Sequence, residues 1–271
     1  MGAVSQHYGS AGIVERVLAA IPGSDRPEFE LKATELFRFD QLHGRELVAT
    51  KEHAARLSPG TSDHVLDVGG GIGGPARYMA HTFGCHVTGV DVTPQFVAAA
   101  SRLTEACGLS ELVQFLEADA EKLPLEDAAF DAATCFYVGM NLSDKPAVIR
   151  EVHRVLKPGG RLIWTEVVLA GDQPALYPLP WARDESASFL VSADDLEGHF
   201  DAAGFAFSVV DETEAVIEHA RQRAAARQEP TAEQRDANQI IMGPDFAERR
   251  AMFIRCLTEG RLRSVLIDAS S

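Results

Sequence analysis

From residue 64 onward, the sequence alternates short apolar runs with segments whose apolar residues recur at helical spacing. This pattern predicts strands at 64–68, 86–92, 112–119, 130–138 and 161–169, with helices between them at 75–83, 94–109 and 145–156. Short connections between alternating strands and helices are typical of right-handed βαβ units. We therefore expect an α/β fold, in which helices cover both faces of a doubly wound, mostly parallel sheet.

The segments outside this alternation are predicted to be additions to one domain. Amphipathic helices at 12–21 and 47–57 predict an N-terminal helical cap over residues 1–62, so that the core occupies 63–271. A proline-punctuated stretch without periodicity follows the fifth strand, at about 170–191, and is predicted to be a lid insertion. The remainder predicts a helix at 192–205 with Ser192 as N-cap and Gly204 as its stop, a strand at 207–213, helices at 214–227 and 246–257, and a closing strand at 261–268.

The composition of the chain limits the kinds of molecule that it is expected to bind. The chain has 271 residues, with 25 Lys plus Arg against 40 Asp plus Glu, so its formal net charge is -15 at pH 7. This charge repels a phosphate backbone, which argues against nucleic acid as a partner. Neither a signal-peptide pattern nor an apolar run of roughly 20 residues is apparent, so we expect a cytoplasmic protein without a membrane partner. The spacing of cysteines and histidines predicts no metal site, and a homo-oligomer is left open.

The most informative segment follows the first predicted strand and has five glycines in the six positions 69–74. Glycines allow a tight turn and bring backbone N–H groups against a ligand, beside the N-terminus of the next helix. Gly69, Gly71 and Gly74 also satisfy the G-x-G-x-x-G fingerprint of dinucleotide-binding proteins. By itself, the loop therefore leaves open both a nicotinamide cofactor and S-adenosylmethionine.

Three carboxylates favour one of these two cofactors. Asp67, Asp91 and Asp119 lie at the C-terminal ends of three successive predicted strands. Asp67 can balance the cationic amino-acid portion of a ligand, whereas it would repel a pyrophosphate. Asp91 can accept both ribose hydroxyls, and Asp119 lies where an adenine amino group could be bound. Carboxylates on successive strand ends suit a nucleoside without phosphates, which favours S-adenosylmethionine over NAD.

Four longer runs carry a family resemblance: VLDVGGGIGGPARYMA, GVDVT, EADAEKLPLEDAAFDAATC and EVHRVLKPGGRLIWTEV. They resemble the motif series of class I S-adenosylmethionine-dependent methyltransferases, and the small-molecule group that includes sarcosine/dimethylglycine N-methyltransferases is the nearer likeness. With weaker motifs added, the resemblance covers most of the chain from about Tyr8 to Leu262. It implies a Rossmann-like fold, S-adenosylmethionine as methyl donor, and methyl transfer to an N, O or C nucleophile of a small molecule.

The resemblance also implies the residues of the cofactor site. Three glycines would line the methionine portion, Asp91 would bind the ribose, Asp119 and Ala120 would frame the adenine, and Phe136 would lie under the cofactor. With Asp67, the complete predicted set is Tyr8, Asp67, Gly69, Gly70, Gly71, Asp91, Val92, Asp119, Ala120 and Phe136. The sequence departs from the family at Asn141, where enzymes of this type often carry His. If that His serves as a base in the relatives, this protein must use another group or none.

The acceptor side is less specific. His43 and Glu166 are the candidate catalytic bases, which a hydroxyl or carbon acid would need and an unprotonated amine would not. Asn141 and Trp181 are the candidate substrate-binding residues. Three of these residues have an ordinary alternative: a helix-approach hydrogen bond for His43, a solvated carboxylate for Glu166, and packing of the insertion for Trp181.

Two rival functions remain beside methyl transfer. An NAD-dependent oxidoreductase could use the same glycine-rich loop, although Asp67 and Asp119 would serve no purpose at a pyrophosphate site. A non-catalytic S-adenosylmethionine-binding protein, or one that uses the cofactor structurally in another reaction, is the second rival. Turnover to S-adenosylhomocysteine would separate it from a methyltransferase.

Overall fold

The computed structural model describes residues 12–21, 23–24, 30–226 and 241–271. The strands are β1 His64–Val68, β2 His86–Asp91, β3 Val113–Glu117, β4 Phe130–Phe136, β5 Leu156–Leu169, β6 Ala206–Asp211 and β7 Leu262–Ser270. The helices are α1 Ile13–Ala20, α2 Ala33–Leu36, α3 Glu46–Leu57, α4 Gly74–Phe83, α5 Pro94–Ala106, α6 Lys145–Val155, α7 Ala193–Ala203, α8 Thr213–Ala226 and α9 Phe246–Thr258. The predicted alternation of strands and helices is confirmed.

The strands form one sheet in the order β3-β2-β1-β4-β5-β7-β6. Neighbouring strands from β3 to β5 pair in parallel, whereas β7 pairs antiparallel with both β5 and β6. The chain order reverses between β1 and β4, which is where ligands bind in open α/β sheets. The predicted doubly wound, mostly parallel sheet is therefore confirmed.

The central strands are apolar because helices cover both of their faces. Leu66 and Trp164 pack with residues of α6 and α7 on one face, while Val65 and Ile163 pack with residues of α3 and α4 on the other. Strands that are buried on both faces have near-continuous apolar runs instead of alternating ones. This packing explains why the predicted central strands are short apolar runs in which apolar and polar residues do not alternate.

The described part of the predicted N-terminal cap packs directly on the core. Val14 and Val17 of α1 share a buried cluster with Phe96 and Leu103 of α5. The described residues before position 63 therefore contribute to the buried apolar clusters of the domain. No helix of these ranges combines the length and the apolar character needed to cross a membrane.

The predicted lid insertion after β5 is packed structure. Leu179 and Trp181 are buried, and the Trp181 ring meets Phe253 of α9 edge-on, with 5.6 Å between ring centroids. The Arg249 guanidinium of α9 donates a 2.8 Å hydrogen bond to the Pro180 carbonyl. These contacts attach the insertion to α9. The following helix begins and ends as predicted, because Ser192 Oγ accepts from the Asp195 N–H at 3.0 Å and Gly204 has a φ of 93°.

Two helical glycines offer a matched test of packing at the glycine-rich loop. A Cβ at Gly74, the first residue of α4, would overlap the carbonyl oxygen of Asp40, whereas a Cβ at Gly198 in α7 would meet nothing within 4 Å. We expect Gly74→Ala to lower the free energy of unfolding by about 1–3 kcal/mol. Gly198→Ala should raise it by about 0.5–1 kcal/mol, because alanine is the better helix former. Urea denaturation measures both, and similar effects at the two positions would contradict this packing.

Candidate functional site

A cleft of about 460 Å³ opens at the C-terminal edge of the parallel strands, and the segments that follow β1 to β4 line it. The cofactor-site residues predicted from the sequence line this cleft, namely Asp67, Gly69, Gly70, Gly71, Asp91, Val92, Asp119, Ala120 and Phe136. Tyr8 lies outside the described residues. The carboxyl ends of parallel strands meet at one edge of a sheet, so residues far apart in the sequence are brought together there.

The glycine loop is shaped by a left-handed backbone. Gly69 has a φ of 67°, and a Cβ at this position would overlap the Val138 side chain. Gly70 N–H donates to the carbonyl of Val90 at 3.0 Å, which fastens the loop to β2. The loop therefore needs glycine for its conformation as well as for space at the cleft.

Asp67 is a buried carboxylate with one unused oxygen. Its Oδ1 accepts a 2.8 Å hydrogen bond from Thr134 Oγ1, while Oδ2 has no hydrogen-bond partner among the described residues. Burial raises the pKa of Asp67 to about 7, the Thr134 hydrogen bond opposes this rise, and the neighbouring Asp91 adds to it. A buried oxygen without a donor is costly, so a cationic amino group of a ligand fits this position.

Asp91 is held at the end of β2 by the backbone. Its Oδ2 accepts from the Gly71 N–H at 2.9 Å and its Oδ1 from the Thr93 N–H at 2.8 Å. Burial raises the pKa of Asp91, and these two hydrogen bonds lower it. Each oxygen keeps a lone pair, so the carboxylate can accept two hydroxyls of one ligand. Asp119 is more exposed, and its Oδ1 accepts from the Glu121 N–H at 2.9 Å.

His43 reaches the cleft on the loop before α3. Its ring lies 5.8 Å from that of Phe136 and stacks parallel to that of Tyr137 at 5.9 Å, measured between centroids. The Nδ1 atom lies 3.0 Å from the Gly44 carbonyl oxygen, and Nε2 lies 2.9 Å from Thr50 Oγ1. Burial lowers the pKa of His43 to about 4, so the ring is neutral near physiological pH. The two ring nitrogens face protein atoms, which favours a positioning role over that of a base.

The predicted role of Glu166 as a base at the crevice is not supported. Glu166 is fully buried in β5, where it forms an ion pair with Lys145 of α6 at 3.0 Å and accepts from Trp164 Nε1 at 2.8 Å. It does not line the cleft. Because Glu166 lies towards the end of a predicted strand, it was expected at the crevice. Its carboxylate is directed instead into the layer between the sheet and α6. These contacts favour a structural role for Glu166.

A second cavity, of about 420 Å³, adjoins the cleft. The two share Leu42, His43 and Tyr137, and the second is completed by the insertion, α8 and α9. Trp181 lines this second cavity, and its Nε1 donates to Ser188 Oγ at 2.9 Å. Asn141 lines the first. The two predicted substrate-binding residues therefore face neighbouring cavities.

Tyr137 lines both cavities, although nothing in the sequence indicates it as a site residue. It follows β4 with a φ of 56°, a rare conformation for a bulky side chain. Its hydroxyl hydrogen-bonds Ser264 Oγ at 2.9 Å, and burial raises its pKa to about 12. A Cβ at Gly44 would lie 3.0 Å from the Tyr137 ring, so the His43 loop packs closely on this wall. An aromatic residue after a strand gives no signal of such backbone geometry.

Known proteins contain the same domain. Residues 66–164 match the methyltransferase domain family. An O-methyltransferase of Penicillium expansum is 34% identical over 165 residues, which are 61% of this chain and 59% of that protein. A sarcosine/dimethylglycine N-methyltransferase of Halorhodospira halochloris is 33% identical over 127 residues, or 46% of each chain. The matched region thus spans less than two thirds of the length of these relatives.

Residues 66–164 of this chain therefore match a methyltransferase domain. Its predicted class I fold is confirmed by solved structures, among them a geranyl diphosphate methyltransferase in complex with S-adenosylmethionine, which is 20% identical with a TM-score of 0.67 and 99% of each chain covered. The cyclase SpnF is 25% identical with a TM-score of 0.65, over 89% of this chain and 97% of that one. The comparisons give no support to the oxidoreductase alternative.

Replacing the buried Asp67 should have opposite effects on the stability of the folded protein and on cofactor binding. The unfolded chain releases this proton at about pH 4, whereas burial raises the pKa in the folded protein to about 7. The folded state therefore holds the proton more tightly, and stability falls as the pH rises between these two values. We expect Asp67→Asn to raise the thermal midpoint of the ligand-free protein at about pH 8 much more than at about pH 5. It should also weaken the binding of S-adenosylmethionine.

Scanning fluorimetry across this pH range measures the first effect, and calorimetry measures the second. Asp131→Asn is the control for a β4 carboxylate outside the cleft, where a hydrogen bond from Lys157 contributes to a lowered pKa. If Asp67→Asn shifted the midpoint equally at both pH values, the assignment of a raised pKa to Asp67 would be wrong.

Proposed function

We propose that this chain transfers the methyl group of S-adenosylmethionine to an N, O or C nucleophile of a small molecule. The observation that carries the proposal is the buried Oδ2 of Asp67 beside the glycine loop, which has no hydrogen-bond partner within the part of the chain that the structure describes. A pyrophosphate would be repelled there, whereas the α-amino group of S-adenosylmethionine supplies a charged donor. Asp91 would accept the ribose hydroxyls, and Asp119 with Ala120 would frame the adenine.

The cofactor would supply an activated methyl group on a sulfonium. The chain would contribute binding, alignment and exclusion of water, which are large effects when two reactants must meet in one geometry. The shared wall of Leu42, His43 and Tyr137 is where a methyl donor in the cleft and an acceptor in the second cavity would meet. An amine acceptor needs no base at this wall, which agrees with the occupied ring nitrogens of His43.

Binding is the direct test of the cofactor. We expect calorimetry to show that the protein binds S-adenosylmethionine and S-adenosylhomocysteine, with NAD at least about a hundredfold weaker because charge repulsion opposes its pyrophosphate. Asp91→Ala should weaken S-adenosylhomocysteine binding by about 1.5–3 kcal/mol through the loss of hydrogen bonds to a charged acceptor.

Asp211→Ala is the control for the Asp91 variant, because Asp211 ends β6 and does not line the cleft. Both variants should unfold at similar temperatures without ligand. Tighter binding of NAD than of S-adenosylhomocysteine would reject the cofactor assignment, and unchanged affinity in folded Asp91→Ala would reject the ribose assignment.

A second candidate function is a reaction other than methyl transfer in the same fold. The cyclase SpnF shares this fold over 97% of its length, so the fold alone does not determine the reaction. Incubation with S-adenosylmethionine and a panel of amines, phenols and carboxylates separates the candidates. Acceptor-dependent formation of S-adenosylhomocysteine, with a methylated product found by mass spectrometry, is expected. Conversion of an acceptor without consumption of S-adenosylmethionine would favour the second candidate.

A further inference from the structure

The second cavity combines an apolar wall with three guanidinium groups. The chain has a net charge of -15, yet the described lining of this cavity contains three arginines and a single carboxylate, Glu46. The arginines are Arg45 from the His43 loop, Arg223 from α8 and Arg250 from α9. The apolar part of the wall includes Leu42, Trp181, Phe246 and Phe253.

His219 lies among these arginines. It lines the same cavity from α8, and its Nε2 is buried without a hydrogen-bond partner among the described residues. Burial lowers the pKa of His219, and Arg223, Arg45 and Arg250 lower it further in that order. The three guanidinium groups are therefore close enough to act electrostatically on one ring inside the cavity. The neutral imidazole leaves a nitrogen for a polar group of a ligand.

Carboxylates fix Arg45 and Arg223 in place. Arg45 forms ion pairs with Glu52 at 2.8 Å and with the nearly buried Glu212 at 3.1 Å. Arg223 forms an ion pair with Glu46. Such pairs hold guanidinium groups in place, and the planar group has further N–H donors for a second partner. The arrangement is therefore preorganised to receive an oxyanion.

The size and position of the cavity suit the acceptor. Its volume of about 420 Å³ is that of a small-molecule pocket, and mostly apolar walls with a few polar groups are typical of such sites. Because it shares Leu42, His43 and Tyr137 with the cofactor cleft, one end of a molecule bound there lies at the wall of that cleft. Guanidinium groups offer N–H donors and no acceptor, so they suit an anionic group of the acceptor better than a cationic one, even where Arg45 and Arg223 are paired with carboxylates.

We propose that the second cavity binds the methyl acceptor and that this acceptor is an organic anion. Arg250, Arg223 and His219 hold its carboxylate or other oxyanion, and its apolar body packs against Trp181. This proposal rests on the proposed function, because it takes the adjoining cleft as the site of the methyl donor.

Displacement of a neutral fluorescent probe, N-phenyl-1-naphthylamine, tests the charge preference without any turnover. Decanoate and decan-1-ol are competitors with the same apolar chain and different head groups. A charge-assisted hydrogen bond is worth about 1.5–3 kcal/mol, so decanoate should compete at least about tenfold better than decan-1-ol with the wild-type protein. Arg250→Met and Arg223→Met should each reduce this preference to about threefold or less, while Arg250→Lys should retain part of it.

Matched controls lie on the same helices. Arg255 in α9 pairs with Glu259, and Arg221 in α8 pairs with Glu214; both are exposed and neither lines the cavity. Arg255→Met and Arg221→Met should keep the wild-type preference. Trp181→Ala should weaken the binding of decanoate and of decan-1-ol equally, because it removes part of the apolar wall and leaves the charged groups in place.

The outcomes separate this proposal from the proposed function. Equal competition by decanoate and decan-1-ol in the wild-type protein, or the same loss of preference in Arg255→Met as in Arg250→Met, would overturn it. Calorimetry with S-adenosylhomocysteine on the same proteins reports the cofactor cleft independently, and Arg250→Met should bind it like the wild type. A wild-type protein that prefers decanoate but does not bind S-adenosylhomocysteine would reject the proposed function and leave an anion-binding cavity.

Discussion

Parallel pairing of β1 with β2 and β4 determines where every group of the candidate site can lie. The register pairs Asp67 with Gly89 on one side and with Thr134 on the other, and pairs Asp91 with Glu117 in the next strand. The strand ends therefore reach the same edge of the sheet, where the glycine loop turns into α4. Asp67 receives its hydrogen bond from Thr134 because of this register. A slip of one residue between β1 and β4 would place the side chains of Asp67 and Thr134 on opposite faces of the sheet.

Buried polar contacts then fix the segment that carries His43. Asp40 accepts from Arg77 of α4 at 3.0 Å, and Arg77 also donates to the Ile72 carbonyl in the glycine loop at 2.6 Å. Gln41 accepts from Thr50 of α3 at 2.6 Å. The segment before α3 is thus joined to the glycine loop and to α3. A substitution at Arg77 would leave the buried Asp40 charge without its partner, which is strongly destabilising. The same segment forms the wall between the two cavities.

The cofactor side of the site was predictable because its signals are local. A glycine run after a strand and carboxylates at successive strand ends can be recognised from residue type and spacing alone. The acceptor side was not predictable in this way. Glu166 lies near a strand end as expected, but its partners Lys145 and Trp164 show that the carboxylate faces a helix layer. The left-handed backbone of Tyr137 also has no sequence signal, since only packing against its neighbours can maintain it.

By itself, the sequence determined the order of strands and helices, the doubly wound sheet and the residues predicted to hold the cofactor. Hydrophobic periodicity and turn chemistry act over a few residues, so they can be recognised along one chain. Only the tertiary structure decided which side chains form the second cavity. Arg45, Arg223 and Arg250 lie on three segments, and 205 positions separate Arg45 from Arg250. Their charges act together because the chain folds them around one space, and electrostatic interaction depends on distance in space rather than on separation in sequence.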